Sequence, residues 1–365
     1  MSELIQKITM PKWGLSMQEG KVNGWLVHVG DTLRQGQEIV EIESDKIAGA
    51  LESSVEGTLR RVLAQEDEVL PVGALLGVVA PAEVSDAEID AFIEAFAAGF
   101  VPGEGSGADA GSRVQYAEID GRRIAYTVQG DAGPALVLIH GYGGDKNNWL
   151  FNVDTLAERH TVYALDLPGH GDSDKALPAD AGPAGMAQVV LGFMDALGLD
   201  AAHLVGHSFG GATALAAAQA APQRVRRLHL IAPAGLGAEI DADYVRGFAA
   251  TNSRKELGRL AARLFADEAQ VTRALVDDLL KFKRLDGVPE ALAAIAAALL
   301  DGDAQRMQLD LPPGVSATVI WGELDRIIPV AHATALTSAA VHVLPDAGHM
   351  VMMEAAREVN RLLGA

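Results

Sequence analysis

Gly206-His207-Ser208-Phe209-Gly210 stands between an apolar run, Ala202 to Val205, and a helix-forming one, Gly211 to Ala221. A strand that becomes a helix within so few residues turns so sharply that side chains larger than hydrogen collide at the flanking positions, and the apical residue is lifted above the sheet. In that setting Gly-x-Ser-x-Gly predicts a nucleophile at Ser208; without the strand and the helix it would mark only a glycine-rich turn with a solvent serine. Outward from the motif, Ala135 to Ile139, Thr161 to Leu165, Leu228 to Ile231, Thr318 to Trp321 and Val341 to Leu344 are apolar runs of the kind buried on both faces of a sheet. Helical stretches fill the gaps, among them Gly185 to Leu197 and Met350 to Leu363, and a hairpin around Asp120-Gly121 joins Val114 to Ile119 with Ile124 to Gln129. Residues 113–365 therefore read as a parallel α/β sheet. Ala234 to Leu311 breaks the alternation with helices only (Glu256 to Phe265, Val271 to Lys281, Pro289 to Leu300), as a lid over one end of that sheet would.

A serine hydroxyl needs a base, and the base needs an orienting carboxylate. In sheets with this turn the order along the chain is serine, acid, histidine. Trp321-Gly322-Glu323-Leu324-Asp325 closes a strand and offers Asp325, with Glu323 as the fallback acid. Ala347-Gly348-His349-Met350 follows the last strand and offers His349. A lone histidine is more often a satisfied structural group; the ordered trio makes this one a base. An oxyanion needs two backbone N–H donors. Phe209, just after the nucleophile, is expected to supply one, and Tyr142 in His140-Gly141-Tyr142-Gly143-Gly144 the other, although those glycines also permit a tight turn. Asp166 to Ser173 reads as turn chemistry behind the site, with no reaction role for His170.

The first 80 residues follow a different grammar. Short strands alternate with Gly20, Gly24, Gly30, Gly36, Gly57 and Gly73, which is the punctuation of a small all-β module. Sliding the sequence by 37 positions superposes Gly20 on Gly57, Val22 on Leu59, Leu33 on Leu70 and Gly36 on Gly73, so two similar halves are expected. Such a sandwich places Glu43-Ser44-Asp45-Lys46-Ile47 at the hairpin between the halves and displays Lys46 to solvent. Between the modules, residues 81–112 comprise one short helix, capped by Ser85 and Glu88 and running to Phe96, then a Gly-, Ala- and Ser-rich tether from Val101 to Ser112.

Composition narrows the function. The 365 residues suit two domains of unequal size. No apolar run approaches the roughly 20 residues a membrane helix requires, and a secretory signal pattern is missing, so a cytoplasmic protein that binds no membrane is expected. A formal charge of −20 argues against nucleic acid as a partner. The chain has no cysteine, which removes disulfides and any protein thiol nucleophile. Metal binding is not expected, because no His-Glu-x-x-His or comparable cluster occurs.

Two families share these features. Residues from about Ile5 to Ala80 resemble biotinyl/lipoyl carrier domains, and Glu43-Ser44-Asp45-Lys46-Ile47 is similar to the lipoyl version, since biotin carriers favour methionines around the lysine. Residues from about Val114 to Ala365 resemble α/β-hydrolases through His140-Gly141, Gly206 to Gly210, Asp325 and His349. The combination resembles the dihydrolipoamide acetyltransferase component of acetoin-cleaving (acetoin dehydrogenase) systems. That resemblance implies lipoic acid attached covalently to Lys46, coenzyme A as co-substrate, and acetyl transfer between them through Ser208. It also implies a thiamine-diphosphate-dependent acetoin dehydrogenase, a dihydrolipoamide dehydrogenase, and a lipoate ligase or lipoyl transferase as partners. The missing cysteine then makes sense, because both thiols are imported. The His-x-x-x-Asp-Gly signature of ordinary complex acyltransferases is absent: His170 with Asp174 and His342 with Asp346 lack the following glycine. The helix after Ser85 is too short for a full subunit-binding domain. An ester or thioester hydrolase tethered by its lipoyl domain, and a non-catalytic carrier or scaffold, are the alternatives.

Overall fold

The computed structural model describes residues 4–364 apart from 12–16, 18, 35, 44–47, 54, 101–113 and 132. Lys46 and the tether Val101 to Ser112 lie outside the described residues. Contacts divide the chain into two compact units, Met1–Ala110 and Gly111–Ala365.

In the first unit the strands are β1 (Gln6–Thr9), β2 (Glu19–Trp25), β3 (Thr32–Leu33), β4 (Glu38–Glu43), β5 (Ala48–Glu52), β6 (Gly57–Val62), β7 (Val69–Pro71) and β8 (Leu75–Val79). They form two four-stranded sheets, ordered β1-β8-β6-β3 and β5-β4-β2-β7. The 37-residue repeat is visible in the pairing: Gly20 opposite Leu70 in one sheet becomes Gly57 opposite Leu33 in the other. Alternating residues such as Val22, Ile39, Ile42, Leu59 and Leu76 point inward and are fully buried between the sheets. Strands β4 and β5 pair antiparallel from Glu43 opposite Ala48 outward, so Lys46 falls in sequence within the connection of that hairpin.

Helix α1 (Asp86–Gly99) carries the expected capping box, Ser85 with Glu88. It is longer than the sequence suggests, and it belongs to the sandwich: Ile89 packs with Val78, Ala80 and Val84. Arg60 pins its start, donating to the carbonyls of Pro81 and Val84 and to Asp86.

The second unit holds β9 (Gln115–Ile119), β10 (Arg122–Gln129), β11 (Ala135–Ile139), α2 (Val153–Ala157), β12 (Thr161–Leu165), α3 (Pro183–Ala196), β13 (Ala202–His207), α4 (Phe209–Ala220) and β14 (Val225–Ile231). The inserted helices α5 (Ala242–Ala250), α6 (Arg254–Ala261), α7 (Arg273–Lys283) and α8 (Val288–Leu299) follow. A two-residue pair, β15 (Leu300–Asp301) with β16 (Ala304–Gln305), closes the insertion, which is therefore not helices only. The chain returns through β17 (Ala317–Gly322), β18 (Ala340–Leu344), α9 (Val351–Glu354) and α10 (Ala356–Leu363). The single last helix read from the sequence is thus two, broken at Ala355.

The eight-stranded sheet runs β18-β17-β14-β13-β11-β12-β10-β9. Its strands from β11 to β18 pair in parallel, and the hairpin β9-β10 joins one edge antiparallel. After β11 the chain adds β12 on one side and then β13 on the other. Loops leaving β11 and β13 diverge at such a switch point, and the crevice at their carboxyl ends is where open sheets bind ligands.

Candidate active site

Ser208 sits between β13 and α4 with φ 53° and ψ −118°, a strained backbone for a residue with a side chain. The neighbouring glycines explain how the turn survives. A Cβ on Gly206 would strike the Gly210 carbonyl, and one on Gly210 would strike the carbonyls of Ile139 and His140. The Ser208 amide donates to Ile231 O at 2.9 Å, and its carbonyl accepts from the amides of Gly211, Ala212 and Ala234. The side chain is thereby aimed by backbone bonds on three sides.

Asp325 and His349 come together as the sequence order requires. His349 Nδ1 donates to Asp325 Oδ2 at 2.8 Å, and both side chains are buried. The other oxygen of Asp325 accepts from the amides of Ile327 (2.8 Å) and Ile328 (3.0 Å), while Oδ2 also accepts from Trp321 Nε1 at 3.0 Å. Glu323, the fallback acid, points to solvent.

The backbone around His349 is held as firmly as its ring. Its N–H donates to Leu264 O at 2.9 Å, its carbonyl accepts from His207 Nε2 at 3.0 Å, and the preceding Gly348 N–H donates to Glu354 Oε2 at 2.9 Å. Among the described residues Nε2 of His349 has no hydrogen-bond partner and neither has the Ser208 hydroxyl. In ligand-free active sites the contact between nucleophile and base is often long, so the open geometry is compatible with such a pair. His207, next to Ser208, lies with its ring centroid 4.7 Å from that of His349, which puts the His349 imidazole at the same end of the sheet as the serine.

The turn after β11 reaches the same place: a Cβ on Gly141 would come within 3.1 Å of Ser208 Cβ. Neither the Tyr142 N–H nor the Phe209 N–H is hydrogen-bonded among the described residues, so both are open to an incoming acceptor, which an oxyanion hole requires of its donors. Two neutral histidines shape the turn. His140 accepts from Leu167 N at 2.9 Å and His170 accepts from Gly143 N at 3.1 Å, so each carries its proton on Nδ1, facing the carbonyls of Gly141 and Pro168. Burial pushes the His170 imidazole down to about 3 and lowers His140 as well, so both stay acceptors at neutral pH.

Below the turn, Lys146 Nζ bonds Asp166 at 2.8 Å and Asp172 at 2.6 Å. Burial works against the Asp166 carboxylate, but the Lys146 ammonium and the surrounding donors outweigh it and hold its pKa below the ordinary value. Sequence reading missed the parts played by His170, His207, Lys146 and Glu354. Glycines flanking His170 hint at a tight turn, but its partner is 27 residues away, and no spacing rule finds such a pair.

Comparison with known proteins follows the two-unit division. A family model described as alpha/beta hydrolase fold matches residues 134–356, and a biotin/lipoyl model described as "Biotin-requiring enzyme" matches residues 6–79. The chain is 49% identical over 360 residues to the "Dihydrolipoyllysine-residue acetyltransferase component of acetoin cleaving system" of Pseudomonas putida, covering 98% of this chain and 97% of that one. The chain belongs to this family of acetyltransferase components. The component of the same description from Cupriavidus necator is 48% identical, covering all of this chain and 97% of its own. Among solved structures, the meta-cleavage product hydrolase of Pseudomonas fluorescens IP01 superposes with a TM-score of 0.62 at 24% identity, covering 68% of this chain and 96% of that one. That likeness concerns the α/β-hydrolase fold alone. No helix among the described residues of this acetyltransferase component is long and apolar enough to cross a membrane.

Proposed function

We propose that this component passes an acetyl group from a lipoyl arm on Lys46 to coenzyme A through an acyl-enzyme on Ser208. Within the family, the observation that carries the reading is the buried Asp325–His349 pair beside a strained, glycine-flanked serine, in a chain without cysteine. The pairing of β4 with β5 up to Glu43 and Ala48 puts Lys46, in sequence, between two paired strand ends, which suits it as the attachment point for lipoic acid through an amide. When attached, the arm supplies the thiol chemistry that the chain lacks.

His349 Nε2 takes the proton of Ser208 Oγ as the oxygen attacks an acyl thioester, and the Tyr142 and Phe209 N–H groups hold the developing oxyanion. Asp325 keeps the imidazole in the tautomer that leaves Nε2 free and stabilises its charged form. His349 then returns the proton to the departing thiolate. A second thiol repeats these steps in reverse: its sulfur attacks the acyl-serine carbonyl, the bond to Oγ breaks, and His349 protonates Oγ. Partners follow from the reading: a thiamine-diphosphate-dependent acetoin dehydrogenase to load the arm, a dihydrolipoamide dehydrogenase to reoxidise it, and a lipoate ligase or lipoyl transferase to attach it.

Intact-mass measurement on protein from lipoate-sufficient cells, followed by single-turnover product analysis, tests this. Acetyl-coenzyme A as product, lost in Ser208→Ala, is the expected result. A Ser208→Ala protein that transfers at the normal rate removes the serine from the mechanism, and free acetate as the main product selects a hydrolase.

A further inference from the structure

Tyr142 reaches two places at once. Its backbone N–H is the oxyanion donor assigned above, while its side chain runs the other way, into the lid. There the hydroxyl lies 3.1 Å from Leu292 O of α8 and 3.4 Å from Val245 O of α5. Burial raises its pKa, so it stays protonated and remains a donor.

The same turn meets the lid at further points. The Tyr142 ring stands edge-on to Phe248 of α5 at 5.8 Å, and Gly143, with φ +74°, lies so close beneath Phe248 that a Cβ there would collide with that ring. Lys283, at the end of α7, donates to the carbonyls of Phe248 and Ala249 and sits 4.9 Å over the Phe248 ring. His170, which accepts from the Gly143 N–H, stacks on Phe282 of α7. Helices α5, α7 and α8 therefore converge on the turn that carries an oxyanion donor.

We propose that the Tyr142 hydroxyl is a positioning group that keeps these lid helices seated on the oxyanion turn, so that the acyl-serine is resolved by a thiol and not by water. The inference rests on the acyl-Ser208 reading. Both resolutions break the bond between the acyl carbon and Ser208 Oγ and return a proton to Oγ through His349. With a thiol the carbon gains sulfur and a thioester leaves; with water it gains oxygen and a carboxylic acid leaves. Only the second requires water beneath the lid. A hydroxyl that holds the lid down therefore acts on the choice between the two, and the backbone N–H is untouched when it is removed.

Tyr142→Phe deletes that hydroxyl and keeps both the ring and the amide. The enzyme is acylated with 4-nitrophenyl acetate in the presence of coenzyme A, and acetyl-coenzyme A and acetate are counted. Their ratio is expected to fall about tenfold in the variant, the effect of one buried hydrogen bond on lid seating. With the enzyme-free reactions of the ester with water and with coenzyme A subtracted, the ratio is that of acylated sites alone, and partial unfolding does not move it. Lys283→Met, which releases α7 from the end of α5, is expected to shift the ratio in the same direction and decides the matter if Tyr142→Phe does not fold. An unchanged or increased ratio overturns the proposal when the wild type shows acyl-Ser208 by mass spectrometry; absence of that species in the wild type overturns the underlying reading instead.

Discussion

His229, on β14, is fully buried, and both of its ring nitrogens lack a hydrogen-bond partner. Burial, reinforced by His203 and Arg227, pushes its pKa from 6.5 down to about 3. Above 6.5 neither the folded nor the unfolded chain binds a proton here, and the residue adds no pH dependence. Below 6.5 the unfolded chain takes up a proton that the folded chain refuses until the pH nears 3. Stability therefore falls by ~1.4 kcal/mol per pH unit through that window.

Between about pH 7.5 and about pH 5 this one residue is expected to remove ~2 kcal/mol, a large part of the margin of an ordinary domain. His229→Leu has similar volume and no proton to bind. The variant is expected to be more stable than wild type by about 1–3 kcal/mol near pH 7.5, because two unpartnered polar atoms disappear. That advantage should grow by a further ~2 kcal/mol near pH 5. Urea unfolding at a series of pH values, followed by the fluorescence of the buried Trp149 and Trp321, reads the difference directly. Parallel stability curves for the two proteins would refute the reasoning, since they would mean that the folded imidazole titrates as it does in the unfolded chain.

Asp325→Asn should lower acyl transfer by about 10⁴-fold with little loss of stability: the amide oxygen keeps the Ile327 and Ile328 N–H groups and Trp321 keeps Ile328 O, but the amide NH2 donates to His349 Nδ1 and moves the ring proton to Nε2, the wrong tautomer for a base; steady-state rates against chemical denaturation check the split. Lys146→Met leaves the Asp166 carboxylate buried without its cation and is expected to cost about 3–5 kcal/mol, with partial recovery in the double variant that adds Asp166→Asn. A denaturation midpoint equal to wild type would show that the pair contributes nothing. Glu354→Gln replaces a carboxylate that accepts from both Gly348 and Ala266 amides, so one amide loses its acceptor. Turnover should fall about tenfold with KM nearly unchanged, measured on a small acetyl ester.

Both folds could be read from the chain alone, and so could the residues the structure gathers beside Ser208, because each rests on local pattern. Alternating apolar strands, the 37-residue repeat and the glycines beside Ser208 are properties of neighbours in sequence, and the order serine, Asp325, His349 follows from which strand ends carry them. The length of α1 and its attachment to the sandwich were less legible, because Ile89 meets Val78, Ala80 and Val84 only once the chain has folded. So was the break at Ala355, which interrupts an otherwise helical pattern. What the tertiary structure alone decided is how the site is held. The bonds from Gly143 to His170, His349 to Leu264, Lys146 to Asp166 and Tyr142 to Leu292 join residues 20 to 150 positions apart. A hydrogen bond forms between groups that folding brings within about 3 Å, and nothing in the spacing of such residues along the chain announces that meeting.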